Sequence, residues 1–218
     1  MDTPFVRGVQ KTLDKLDKSA SYSVYSSCHK FVPKLKPFLV ALEWSCNGLV
    51  WLATTVLLIV VKHEQTTMLP KLFIGLIMDI VYVATIKALA RRRRPTYAFQ
   101  RDQMIVASVD KHSFPSGHCS RSAYVALFAS RYFNQSAPIL AFLVNIWSTN
   151  VCISRVLLGR HHIFDCVAGV ALGWINYTLQ FSSILPINYL GMACMRAVFG
   201  INAFSDPNDI EGMDAFVD

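Results

Sequence analysis

Lys87 and Arg94 stand seven residues apart, almost two helical turns, so both side chains project from one side of a helix end as two prongs of a cationic clamp. A second segment, Ser113-Phe-Pro-Ser116-Gly117-His118, offers a hydroxyl donor at Ser116 and a residue at Gly117 that lets the backbone approach an anion closely. It sits where an apolar run begins, and the free N–H groups of a helix N-terminus already favour negative charge, with His118 beside the same anion. In a third segment, Ser154-Arg155-Val-Leu-Leu-Gly-Arg160-His161-His162-Ile-Phe-Asp165, Asp165 follows His161 by four residues. At that reach a carboxylate accepts an imidazole N–H, fixes the tautomer and stabilises the charged ring formed when the other nitrogen attacks. Together these residue types describe the handling of a phosphate. Each segment alone has a plainer reading: a basic stop-transfer run, a Pro-Ser-Gly helix cap and a histidine at a membrane surface. Zinc at His161 is a weaker reading.

The elements that must position these residues are apolar. Of 218 residues, 53% are hydrophobic and 16% charged, against about 25% charged in an ordinary soluble domain. Mean hydropathy is +0.37. Leu39–Val61, Leu72–Ala90, Ser116–Phe133, Pro138–Leu158 and Ile163–Leu185 are apolar stretches of about 20 residues, the length that crosses about 30 Å of hydrocarbon. Arg91 to Arg94 and Pro95 stop the second one. The N-terminal segment, with Val6, Val9, Leu13 and Leu16 at spacings of three and four, predicts a helix lying in the headgroup region or exposed to solvent. It has no continuous apolar core of the secretory-signal kind. The end, from Ser205 to Asp218, holds five acidic residues and no basic one, and reads as an acidic tail. The six cysteines lack any CxxC pair and read as reduced apolar residues. The expected fold is therefore all-α: a multi-pass transmembrane bundle of about five spans with an N-terminal interfacial helix. Its expected divisions are a basic segment at 1–37, a catalytic unit at 38–187 and a C-terminal segment with the acidic tail at 188–218.

The net charge of +7 (21 Lys and Arg against 14 Asp and Glu) admits nucleic acid, anionic lipid or an anionic substrate as partner. Position separates them. Counting spans places Lys11, Lys15, Lys18, Arg91 to Arg94, Arg155 and Arg160 at one membrane face, together with all three chemical segments. A positive-inside bias and a phosphate site both explain that, and neither needs nucleic acid.

In order, the three segments match K-x6-R-P, P-S-G-H and S-R-x5-H-x3-D, and the chain so resembles the type 2 phosphatidic acid phosphatase superfamily, which includes glucose-6-phosphatase and the vanadium haloperoxidases. The fragments RRRRP, SVDKHSFPSGH and SRVLLGRHHIFD are especially similar to its polyisoprenoid diphosphate phosphatase branch, the presqualene diphosphate phosphatases. The resemblance covers about Leu39 to Leu185. It implies a hydrolase that needs no metal or other cofactor. In it His161 attacks phosphorus to give a phosphohistidine, Asp165 holds the ring, and His118 protonates the leaving oxygen and then activates water. Lys87, Arg94 and Arg155, with the Ser116 hydroxyl and the Gly117 N–H, would hold the equatorial oxygens, three cations replacing magnesium. The implied partner is a membrane lipid phosphate or diphosphate of the presqualene, farnesyl or geranylgeranyl class.

The rival readings are a phosphatase for phosphatidate, lysophosphatidate or sphingosine phosphate, and a non-catalytic membrane scaffold. Vanadate-dependent peroxidation is disfavoured by the spans. The endoplasmic reticulum or nuclear envelope is the implied compartment, with the site and N-terminus in the cytosol. The tail is then across the membrane unless Ile187 to Phe204 crosses again. Deeper in the bundle, Asp79 is expected about 12 Å below Lys87 and Asn145 about 15 Å below Arg155, so Asp79 should pair with Asn145 or with Arg131. Glu43 is expected to brace an arginine of the run Arg91 to Arg94, and Arg92 and Arg93 to face headgroups.

Overall fold

The computed structural model describes residues 4–62, 68–97, 112–182 and 187–199. The acidic tail and most of the polar connection before Ser113 lie outside the described residues. Among the described residues the elements are α1 (Pro4–Cys28), α2 (Val32–Ser45), α3 (Gly48–Lys62), α4 (Met68–Ala90), α5 (Gly117–Phe133), α6 (Pro138–Leu157), α7 (Ile163–Phe181) and α8 (Ile187–Phe199).

The expected first span is broken into α2 and α3, bent by 52°. Asn47 accounts for the break: its side-chain oxygen accepts from the Leu49 and Val50 N–H groups at 2.9 and 3.4 Å, capping α3. The Cys46 carbonyl freed at the end of α2 accepts from Arg121 of α5 at 3.0 Å. By length and apolarity α4 and α6 can each cross a membrane, and the bent α2–α3 pair makes a third candidate. The other two expected spans form α5 and α7, helices of 17 and 19 residues, of which α5 is the shorter and the more polar.

That difference follows from where α5 sits. Cys119 through Ala126 are all buried, so the helix has no lipid-facing stripe over two turns. It packs against α4, α6 and α7. Leu76, Tyr124, Val125 and Phe128 form the apolar centre of the bundle. The closest approach is to α7, where Gly169 and Gly173 face the α5 backbone: a Cβ at Gly169 would lie 2.5 Å from the Ser116 carbonyl, and one at Gly173 2.3 Å from that of Ser120. Such small-residue faces let membrane helices touch through their backbones.

The central position of α5 also corrects the pairing expected for Asp79. At equal depth, α5 stands between α4 and α6, so Asp79 is met by Ser120, whose hydroxyl donates to it, and by the Arg121 guanidinium at 3.3 Å. Asn145 instead donates to Ser130 at 2.9 Å, and Arg131 lies over the Phe181 ring at 4.6 Å. Asp79 is fully buried between Ser120 and Arg121.

Gln180 of α7 and Asn188 of α8 exchange hydrogen bonds, both at 2.9 Å, and Met195 packs on Ile59 and Leu69. These contacts seat α8 against α3, α4 and α7 at the end of the bundle remote from Lys87. The expected N-terminal helix is present as α1. Its Val9, Leu13 and Leu16 are exposed as a lipid-facing stripe would be, yet it docks on α6 and α7 through buried Asp17 and Ser21.

Candidate active site

The turn from α6 to α7 carries the first histidine. The Arg155 carbonyl accepts from both Arg160 (2.9 Å) and His161 (3.3 Å), and Gly159, at φ 64°, supplies the left-handed residue that folds the chain back beneath α6. His161 is 2% exposed, and its Nδ1 lies 2.8 Å from the Ser113 carbonyl. A carbonyl only accepts, so Nδ1 carries the proton and Nε2 keeps its lone pair. The closest partner expected for this ring was Asp165. Its carboxylate is 3.7 Å away, drawn instead to the His162 N–H (2.8 Å), the His162 ring (3.3 Å) and Arg92 (2.6 Å). Burial lowers the His161 pKa to about 4; Asp165 pulls it up, while Arg94 and Lys87 push it down.

The second histidine opens α5. Ser116 is the N-cap, accepting weakly from Cys119 N–H at 3.5 Å, and its own N–H donates to the Asp165 carbonyl at 2.9 Å. That bond and the Gly169 contact tie the α5 N-terminus to the start of α7. The missing Cβ of Gly117 faces Val83 at 3.2 Å, so this glycine serves helix packing as well as backbone access. His118 Nε2 is buried with no hydrogen-bond partner among the described residues. Arg155, Arg121, His161 and Lys87 are all close enough to act on its charge.

The cations expected at the site converge on these rings. Lys87 and Arg155 are 6% and 1% exposed, and Arg94 donates to the Arg160 carbonyl at 3.4 Å. The brace expected from Glu43 to the Arg91–Arg94 run is not formed. Because α2 packs on α6, Glu43 instead accepts from Arg155 at 2.9 Å and Arg160 at 3.4 Å. Arg92 does not face headgroups either. Arg91, at φ 47°, ends α4 in a left-handed turn. Beyond it the chain pairs with residues 112–113, and the Arg92 guanidinium is held by Asp14 (2.8 Å), Asp17 (2.6 Å) and Asp165 (2.6 Å). Sequence reasoning gave Ser113 and Arg160 no role, set Arg92 toward headgroups and did not place Asp17 in this neighbourhood. For Ser113 the contact is a backbone carbonyl, which no residue type announces. For Asp17, its place amid lysines gave no sign of burial.

Two buried histidines with Lys87, Arg94 and Arg155 acting on them, held in a helical bundle with candidate membrane spans, are an arrangement suited to an anionic phosphate group in a membrane protein. The family model described as the PAP2 superfamily matches residues 69–188. The chain is 31% identical, over 76% of its length and 88% of the relative's, to a protein of Arabidopsis thaliana described as a probable lipid phosphate phosphatase beta. Over 40% of its length, and 45% of the relative's, it is 34% identical to decaprenylphosphoryl-5-phosphoribose phosphatase of Mycobacterium tuberculosis. A transmembrane PAP2 type phosphatidylglycerolphosphate phosphatase of Bacillus subtilis shares the fold at TM-score 0.61, with 18% identity over 86% of this chain and 88% of that one. The chain belongs to the PAP2 superfamily and is a membrane-embedded phosphoric ester hydrolase of the lipid phosphatase kind.

Proposed function

We propose that this protein hydrolyses polyisoprenoid diphosphates and monophosphates through a phosphohistidine. The observation that carries the reading is the nearness of His161, with a free Nε2 lone pair, to His118, whose buried Nε2 has no partner among the described residues, with Lys87, Arg94 and Arg155 acting on them. His161 Nε2 attacks phosphorus in line, and the P–N bond forms as the ester or anhydride P–O bond breaks. His118 takes a proton from solvent in the loaded site, where the substrate's negative charge stabilises the imidazolium, and gives that proton to the leaving oxygen. It then takes one from the water that cleaves the P–N bond. Lys87, Arg94 and Arg155 stabilise the equatorial oxygens, joined by the Ser116 hydroxyl and the N–H of Gly117 at the α5 N-terminus. Asp165 acts on the His161 ring from 3.7 Å as a counter-charge, while the Ser113 carbonyl sets the tautomer.

The fragments around Arg94, His118 and His161 favour isoprenoid substrates, and the mycobacterial relative is named for a polyprenyl-type phosphate. The Arabidopsis relative, named only for lipid phosphates, supports the second reading, a phosphatidate, lysophosphatidate or sphingosine-phosphate phosphatase. Phosphate release in chelator-treated detergent solution from farnesyl, geranylgeranyl and presqualene phosphates, beside those three glycerolipid and sphingoid substrates, separates them. Isoprenoids are expected to show the higher kcat/KM, and the reverse order establishes the second reading. The catalytic unit is assigned to 38–187, in the endoplasmic reticulum membrane with its site toward the cytosol, on the face that carries the α1 lysines. Protease protection of tags at the two termini tests that orientation.

A neutral His161 is the attacking form, and a lowered ring pKa keeps it neutral to lower pH. The acid limb of kcat/KM due to this residue is therefore expected near pH 4, below the about 6.5 of an ordinary imidazole. The measurement is the kcat/KM profile after the substrate's own phosphate ionisation is removed; an enzyme limb at 6.5 contradicts it.

A further inference from the structure

The N-terminus of α7 points at the site, and a helix start there would ordinarily offer free N–H groups to an anion. Here they are occupied from outside the bundle. The Ile163 N–H donates to Ser21 at 2.9 Å and the Phe164 N–H to Asp17 at 3.0 Å, both on α1. Within α7 itself His162 and Asp165 close a reciprocal capping box. Asp17 also holds Arg92 at 2.6 Å, and Arg92 holds Asp165 at 2.6 Å. Asp165 in turn holds the His162 N–H, one residue from His161. A continuous chain of charged hydrogen bonds thus runs from α1 to the turn that presents His161.

The burial is as informative as the bonds. Asp17 is 4% exposed and Ser21 fully buried on a helix that otherwise shows charge to the outside. Burying a carboxylate is costly unless it is paired, so a buried aspartate with an arginine and a helix N-terminus as partners is a specific docking arrangement. Arg92 faces three carboxylates, so its charge is taken up by Asp14, Asp17 and Asp165, whereas Lys87, Arg94 and Arg155 act on the two histidines.

We propose that Asp17 and Ser21 are positioning residues for the phosphatase reaction, fixing the α7 N-terminus and, through Arg92 and Asp165, the turn that carries His161. This rests on His161 being the nucleophile. Misplacing a reacting group by about 1 Å costs up to about 10²-fold in rate. Since Asp17 and Ser21 bond to the α7 N-terminus and to Arg92 rather than to the site's histidines, the loss falls on kcat and spares KM.

The test uses the full chain in detergent with farnesyl diphosphate as substrate, comparing Asp17→Asn, Ser21→Ala, Arg92→Gln and the Asp17→Asn/Arg92→Gln pair, with exposed Lys15→Ala as the α1 control. Asp17→Asn is expected to lower kcat about tenfold with KM within about twofold, and Ser21→Ala to act in the same direction more weakly. The double variant should lose no more than the worse single one, because both act along one chain. Thermal unfolding identifies any variant that fails to fold; if Asp17→Asn does, Ser21→Ala, which removes one hydrogen bond, carries the test. An unchanged kcat, a loss seen mainly in KM, or losses that multiply in the double variant overturn the proposal. His161→Ala is run alongside: activity retained there sinks the nucleophile assignment, whereas an inactive His161→Ala beside a normal Asp17→Asn sinks only the positioning role.

Discussion

His161→Ala is expected to reduce turnover by at least about 10³-fold and to abolish phosphoenzyme, because no other group can form the P–N bond from the position that Ser113 fixes. Labelled substrate, quenched in alkali where a phosphoramidate survives, should leave label on the wild-type chain and none on the variant. His118→Ala supplies the converse. Its loss removes the proton donor for the leaving oxygen and the base for water, so both steps slow. How much each slows depends on the leaving group. A monophosphate must expel an alkoxide, which needs the proton badly; a diphosphate expels a phosphate ester, which needs it little. His118→Ala should therefore damage monophosphate turnover more than diphosphate turnover, and with a diphosphate the labelled intermediate should accumulate because only its hydrolysis remains slow. Label on His161→Ala, or equal losses on both substrate types in His118→Ala, would remove the assigned roles.

The residues of this site were legible in sequence because they are polar residues at fixed spacings beside apolar helices, where charge is expensive. Lys87, Arg94, Ser116, His118, Arg155, His161 and Asp165 do meet at one end of the bundle. What spacing misassigned was partnership. The i, i+4 interval does bring Asp165 to within 3.7 Å of His161, but residue 161 lies in the turn before α7 starts at Ile163, and the carboxylate is shared at shorter range with His162 and Arg92. Glu43 and Asp79 were placed by depth alone, and depth does not say which helix lies between two others. The centrality of α5 decides that, and it is encoded in the small residues Gly169 and Gly173, which a scan for apolar length passes over. The break at Asn47 was hidden in the same way, a polar cap inside an apolar run.

Gly169→Ala is expected to be nearly as damaging as loss of a catalytic side chain, although Gly169 touches no substrate. Its new Cβ would lie 2.5 Å from the Ser116 carbonyl and 2.9 Å from Cys119 Cβ. The first contact is with backbone, so no rotamer change relieves it, and α5 and α7 must separate by about 1 Å. Ser116 and His118 ride on one of these helices, and the turn with His161 on the other. The separation therefore stretches the 2.9 Å bond from Ser116 N–H to the Asp165 carbonyl and opens the gap between the two histidines. A shift of about 1 Å in that geometry is worth about 10²-fold in kcat, and overpacking of this kind costs about 1–3 kcal/mol of stability. Gly173→Ala separates the two effects. Its Cβ would meet the Ser120 carbonyl at 2.3 Å, as severe a clash but one turn further from the chemistry. Both variants should unfold at lower temperature, while Gly169→Ala should lose distinctly more kcat than Gly173→Ala. Equal losses of kcat would mean that the two glycines serve only to let the helices pack. The graded loss would mean that backbone contact between α5 and α7 sets the distance across which the phosphoryl group is passed.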